Sequence, residues 1–135
     1  MIFTYKDIHS DVKVNCEVAV IGSGAGGAVI AKEVAETGHS VVVMEEGGYF
    51  TRNDFRCRPV ESTLLMYRDG GQTFTMGRPF CILPLGKTIG GTTTINSGTC
   101  FRIPAKVLRD WQENYGLKEL NEEELGLLYE RIETF

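Results

Sequence analysis

The chain has 135 residues, 42% apolar and 24% charged, with a formal net charge of −4. That is one ordinary domain's worth of sequence, enough to bury about two-thirds of its unfolded surface, and its acidic balance makes no case for a nucleic-acid surface. No apolar run approaches the ~18 residues of a transmembrane helix, and nothing at the N-terminus has the layout of a secretory signal, so a cytoplasmic location is expected.

Residues 1–15 read as a partly ordered lead-in. From residue 16 the pattern sharpens. An apolar run at 18–21 suits a strand buried on both faces. Gly22-Ser23-Gly24-Ala25-Gly26-Gly27 follows at once and fits G-x-G-x-x-G. Residues 28–36 carry alanine and valine at helical spacing, Gly38 is a left-handed stop, and a second apolar strand at 41–44 ends on Glu45.

Each part of this β-α-β unit has a physical job. Gly22 permits the tight turn, Gly24 lets a pyrophosphate approach the backbone, and Gly27 lets the helix pack on the strand. The helix start supplies N–H groups and partial positive charge for the phosphate. Glu45 stands 23 positions after Gly22, where a carboxylate accepts hydrogen bonds from ribose hydroxyls. The spacing and context point to a dinucleotide.

Gly47-Gly48 breaks the second strand and opens a polar connection containing Arg52, Arg56 and Arg58, read as a solvated loop. Residues 61–68 fit a short helix that Asp69-Gly70-Gly71 terminates. A hairpin is expected next, with arms at 72–76 and 79–85 around Gly77-Arg78 and with prolines at the ends of the second arm.

Residues 86–104, GKTIGGTTTINSGTCFRIP, combine a glycine pair with small hydroxyl residues and Asn96. A cofactor ring lying on backbone, with Thr and Asn groups bonding its polar edge, uses that composition. A Thr-rich strand with a glycine bulge uses it equally well. The tail is helical: 105–115 places Val107, Leu108 and Trp111 at helix spacing, and Asn121 caps a last helix. Leu125, Leu128 and Ile132 form its apolar stripe. The acids at 122–124 are a helix start rather than a metal site, and no metal ligand set is expected anywhere. Cys16, Cys57, Cys81 and Cys100 form no C-x-x-C pair and read as reduced core residues.

Taken together, GSGAGG, VVVMEEGG and GKTIGGTTTINSGTCFRIP resemble the N-terminal flavin-binding part of glucose–methanol–choline (GMC) oxidoreductases, over about residues 16–135. Within that family the chain is most similar to the long-chain alcohol oxidase subgroup. The resemblance implies an α/β, partial Rossmann-like FAD-binding domain: a βαβ unit, a small hairpin and C-terminal helices, incomplete, behind the lead-in. It implies cofactor-binding roles for Gly22, Ser23, Gly24, Ala25, Gly26, Gly27, Glu45 and Glu46 at the nucleotide end. Gly90, Gly91, Thr92, Thr93, Asn96 and Ser97 would lie against the flavin.

The only histidines, His9 and His39, lie outside the flavin motif, so FAD is expected to be non-covalent and no catalytic residue is assigned. The implied reaction is alcohol oxidation, with a base taking the hydroxyl proton and hydride passing from carbon to flavin. GMC enzymes are several times longer and carry their catalytic histidine downstream, so the chain is expected to be a truncated product, inactive alone and prone to self-association. Two alternatives stay open: an NAD-dependent dehydrogenase module, and a non-catalytic nucleotide-binding fragment.

Overall fold

A computed structural model describes residues 1–56 and 58–134. Cys57 therefore lies outside the described residues. Met1–Ser97 forms one compact unit, and a second begins at Gly98.

In the first unit, β1 (Val18–Ile21) and β2 (Val41–Met44) pair in parallel, Val18 opposite Val41 and Ile21 opposite Met44. Both strands fall where the apolar runs predict. The helix between them, α1 (Ala25–Glu36), starts three residues before the expected position. The last three motif residues, Ala25-Gly26-Gly27, are its first turn. At its far end Gly38 adopts φ +94° and its N–H closes onto Ala35 O at 3.0 Å, as a left-handed stop requires.

The expectation that β1 is buried on both faces is corrected. Val18 and Val20 are half-buried on the side that α1 covers, whereas Ala19 and Ile21 point the other way, and Ile21 is 85% exposed. Successive strand residues alternate between faces, and among the described residues only one face of this two-stranded sheet has a helix on it. Ala31 is the buried residue of α1.

The next helix, α2 (Pro59–Met66), lies two residues earlier than predicted. Pro59 starts it, where a missing N–H costs nothing. It ends because the chain turns to pairing: Arg68 N–H donates to Leu85 O, Lys87 N–H donates to Met66 O, and Tyr67 bridges Gly86. Asp69 and Gly70 then take left-handed conformations. The hairpin is reduced to an antiparallel bridge, Phe74 to Ile82, flanked by Thr75 N to Cys81 O and Leu83 N to Thr73 O, both 2.8 Å. Pro79 has no N–H to extend the ladder, and Cys81 N–H bonds the Thr75 hydroxyl instead.

No strand forms at the Thr-rich segment. Gly90 and Gly91 both have positive φ, and Gly91–Thr94 is a 3₁₀ turn, so the bulged-strand reading is overturned.

In the second unit, α3 (Ala105–Asn114) buries Leu108, and α4 (Glu122–Glu133) opens on Asn121, whose Oδ1 accepts from Glu124 N–H at 2.8 Å. The expected stripe is narrower than predicted. Leu125 and Tyr129 turn inward, but Leu128 and Ile132 are exposed. Tyr129 holds this unit's entry: its hydroxyl accepts from Ile103 N–H at 3.2 Å, and the Arg102 guanidinium, paired with Glu133, lies 5.6 Å from its ring centre. Among the described residues no helix is long and apolar enough to cross a membrane.

Candidate functional site

The site grows from the exit of β1. Gly22 takes φ +89°, and its N–H donates to Met44 O at 2.8 Å, so the chain leaves the strand in a turn that an L side chain rarely adopts. A Cβ at Gly27 would stand 2.0 Å from Gly22 O and 3.2 Å from Val20 Cγ1. The helix therefore reaches the strand only because Gly27 has no side chain.

Gly24 and Gly26 are different. A Cβ at either would meet nothing within 4 Å, so the backbone at the start of α1 faces open space. No acidic residue occupies that first turn. The N–H groups of Ala25, Gly26 and Gly27 have no protein acceptor among the described residues. Three unpaired donors at the positive end of a 12-residue helix, with open space at Gly24 and Gly26, are suited to an anion.

Glu45, at the end of β2, faces this loop. Its Oε2 accepts from Ser23 N–H (2.9 Å) and Ser23 Oγ–H (2.6 Å), and its Oε1 from Gly47 N–H (2.8 Å). Burial pushes its pKa up, but the hydrogen bonds from Ser23, Gly47 and Glu46 outweigh that and hold the carboxyl below the usual glutamate value. The acid is thus ionised and fixed. The carboxylate's acceptor positions are thus largely taken up by Ser23 and by backbone N–H groups. Glu46, expected in the same set, instead pairs with Arg68.

The second glycine loop comes to the same place. Gly90 N–H donates to Ser23 Oγ at 3.0 Å, and a Cβ at Gly91 would lie 3.1 Å from Gly24 Cα. Segments 67 residues apart in sequence therefore meet at Ser23, which is only 8% exposed. The side chains of this loop are largely engaged in folding it. Thr92 Oγ1 accepts from Gly86 N–H, Thr93 donates to Gly90 O, Thr94 donates to Ile89 O at 2.7 Å, and the Asn96 amide donates to Thr93 O. Ser97 closes the unit.

Residues outside the expected set do much of the joining. Thr88, 1% exposed, donates to Gly48 O at 3.0 Å, and Ile89 N–H donates to the same oxygen. A Cβ at Gly47 would sit 2.1 Å from Thr88 N, and one at Gly86 would sit 2.4 Å from Gly91 O. In the sequence Gly47 reads only as a strand breaker. The signal available was a glycine pair directly after Glu45-Glu46, with an isolated glycine four places before Gly90.

The chain is similar to known proteins over most of its length. Residues 64–134 match the GMC oxidoreductase family, and residues 20–79 match the NAD(P)-binding Rossmann-like domain. An uncharacterized GMC-type oxidoreductase of Mycobacterium tuberculosis is 45% identical over 111 residues, covering 82% of this chain and 18% of the relative. A long-chain-alcohol oxidase of Arabidopsis thaliana is 37% identical over 118 residues, 82% of this chain and 15% of the relative. A GMC-type oxidoreductase of Sinorhizobium fredii is 32% identical over 127 residues, 94% of this chain and 25% of the relative. The chain thus spans a quarter or less of the length of these relatives. No solved structure gives a significant match. With a Rossmann-like nucleotide-binding unit leading into a matched segment that covers more than half of its residues, the chain belongs to the GMC oxidoreductases.

Proposed function

We propose that this chain is the FAD-holding N-terminal part of a GMC oxidoreductase that oxidises an alcohol. The observation that carries the reading is the junction at Ser23. It joins a loop suited to a diphosphate, an acid suited to a ribose and a glycine-rich loop suited to a planar ring. The donor set fits the cofactor. The N–H groups of Ala25, Gly26 and Gly27 would take the diphosphate and the Glu45 carboxylate a ribose hydroxyl, with the Gly90–Gly91 loop beside them on the ring side.

Bound FAD supplies the hydride acceptor for alcohol oxidation. This chain's own residues bind and orient. Glu45, fixed and ionised, disfavours a second anion near the ribose, and the Gly22–Gly27 turn presents its amides without an intervening side chain. The attachment is non-covalent, since neither His9 nor His39 belongs to either loop. Removal of the hydroxyl proton is assigned to a base outside these 135 residues. A long-chain alcohol is the substrate class favoured by the similarity to the Arabidopsis long-chain-alcohol oxidases. The exposed Ile21, Val29 and Ile30 support self-association of the isolated chain.

A second reading, an NAD-binding module, is favoured by the Rossmann-like match at 20–79 alone. Titrating the purified chain with FAD and with NAD separates the two. Uptake of FAD with a bound-flavin absorption spectrum is expected. Binding of NAD alone refutes the flavin reading, and binding of neither by folded protein leaves the non-catalytic fragment.

A further inference from the structure

Ser23 occupies an unusual place in this site. Its backbone belongs to the first glycine loop, and its side chain serves two other segments. A hydroxyl has one proton and two acceptor positions. Gly90 N–H can only donate, so Ser23 Oγ is the acceptor in that 3.0 Å bond, and its single proton is directed to Glu45 Oε2 at 2.6 Å. The sense of the chain is therefore Gly90 N–H to Ser23 O–H to Glu45. The carboxylate polarises the hydroxyl and strengthens its hold on Gly90.

We propose that the Ser23 hydroxyl is a positioning residue that couples the nucleotide half of the site to the ring half. This rests on the flavin dinucleotide reading above. Thr88 and Ile89 also tie the ring half to Gly48 O, beyond the acid, but Ser23 makes the hydrogen bond from the ring half to the first glycine loop. Without the hydroxyl, Glu45 still receives Ser23 N–H at 2.9 Å and Gly47 N–H at 2.8 Å, so the acid stays in place and the nucleotide half survives. Gly90 N–H, in contrast, loses its acceptor in a part-buried position. The loop carrying Gly90 and Gly91 then loses its hydrogen bond to the first glycine loop, while Thr88 and Ile89 keep theirs to Gly48 O.

Ser23→Ala separates these effects. Affinities of the 135-residue chain and its variant are measured by titration with ADP, which fills only the nucleotide half, and with FAD, which fills both. Amide hydrogen exchange is followed in the ligand-free proteins. FAD affinity is expected to fall about tenfold, the order expected when one part-buried donor is orphaned, and ADP affinity by distinctly less. Exchange at Gly90 and its neighbours should speed up about tenfold with the amides of α1 unchanged. Equal losses for ADP and FAD, an unchanged FAD affinity, or opening of α1 together with the loop would each overturn the coupling. A wild-type chain that takes up neither ligand defeats the flavin reading itself. The coupling alone fails when the wild type binds both ligands and the variant does not separate them.

Discussion

Gly26 and Gly27 are adjacent in the first turn of α1, yet replacing each by alanine should move stability in opposite directions. Helix propensity favours alanine over glycine by up to about 1 kcal/mol at either place. At Gly26 nothing opposes it, because the added Cβ meets no atom within 4 Å. At Gly27 the Cβ would lie 2.0 Å from the carbonyl oxygen of Gly22, a backbone atom that Met44 O holds through Gly22 N–H at 2.8 Å. Relieving that contact means moving α1 away from β1 by about 1 Å or more, at an overpacking cost of roughly 1–3 kcal/mol. The cost exceeds the propensity gain over most of that range. In a ligand-free melt of a unit of about 100 residues, each kcal/mol is about 4–8 °C. Gly26→Ala should therefore melt a few degrees above wild type and Gly27→Ala several degrees below it. Shifts of the same sign in both variants would mean that helix and strand do not approach as described.

Two more consequences concern the acid and the buried threonine. Because the Glu45 pKa is lowered on folding, its stabilisation is fully present above the ordinary glutamate value of about 4.3 and is lost as pH falls through the lower folded value. Urea midpoints of wild type and Glu45→Gln should thus be well separated near neutral pH and converge as the pH falls below the ordinary glutamate range, whereas a gap independent of pH would contradict the assignment. Thr88→Val keeps the shape and removes the bond to Gly48 O, but Ile89 N–H still serves that oxygen, so urea unfolding should show a loss of only about 0.5–1.5 kcal/mol. A much larger loss would show that the hydroxyl supports something beyond Gly48.

The parts of the site that were legible are those whose cause is local. Gly22 and Gly38 mark reversals that only their own φ angles require, and Asn121 caps the helix that follows it within three residues. The narrower stripe on α4 and the missing hairpin ladder were not legible. Leu128 and Ile132 have the right spacing, but burial depends on what lies opposite, and spacing carries no information about that. Glu46 and Glu45 are neighbours of identical chemistry. Only the positions of Ser23 and Arg68, each 22 residues from its acid, decide which one serves the loop.

By itself the sequence determined the β-α-β unit and its glycine turn, because strand, turn and helix there answer to nearest neighbours and to the hydrophobic period. It also marked the glycine-rich segment around Gly90 as suited either to a cofactor ring or to a bulged strand. What only the tertiary structure decided is that this segment rests on Ser23 and Gly24, and that Gly47, Gly86 and Thr88 hold it there. Such contacts depend on the absence of side chains at positions far apart in the chain, and a missing Cβ gives no sign of its partner until the backbones have been brought together.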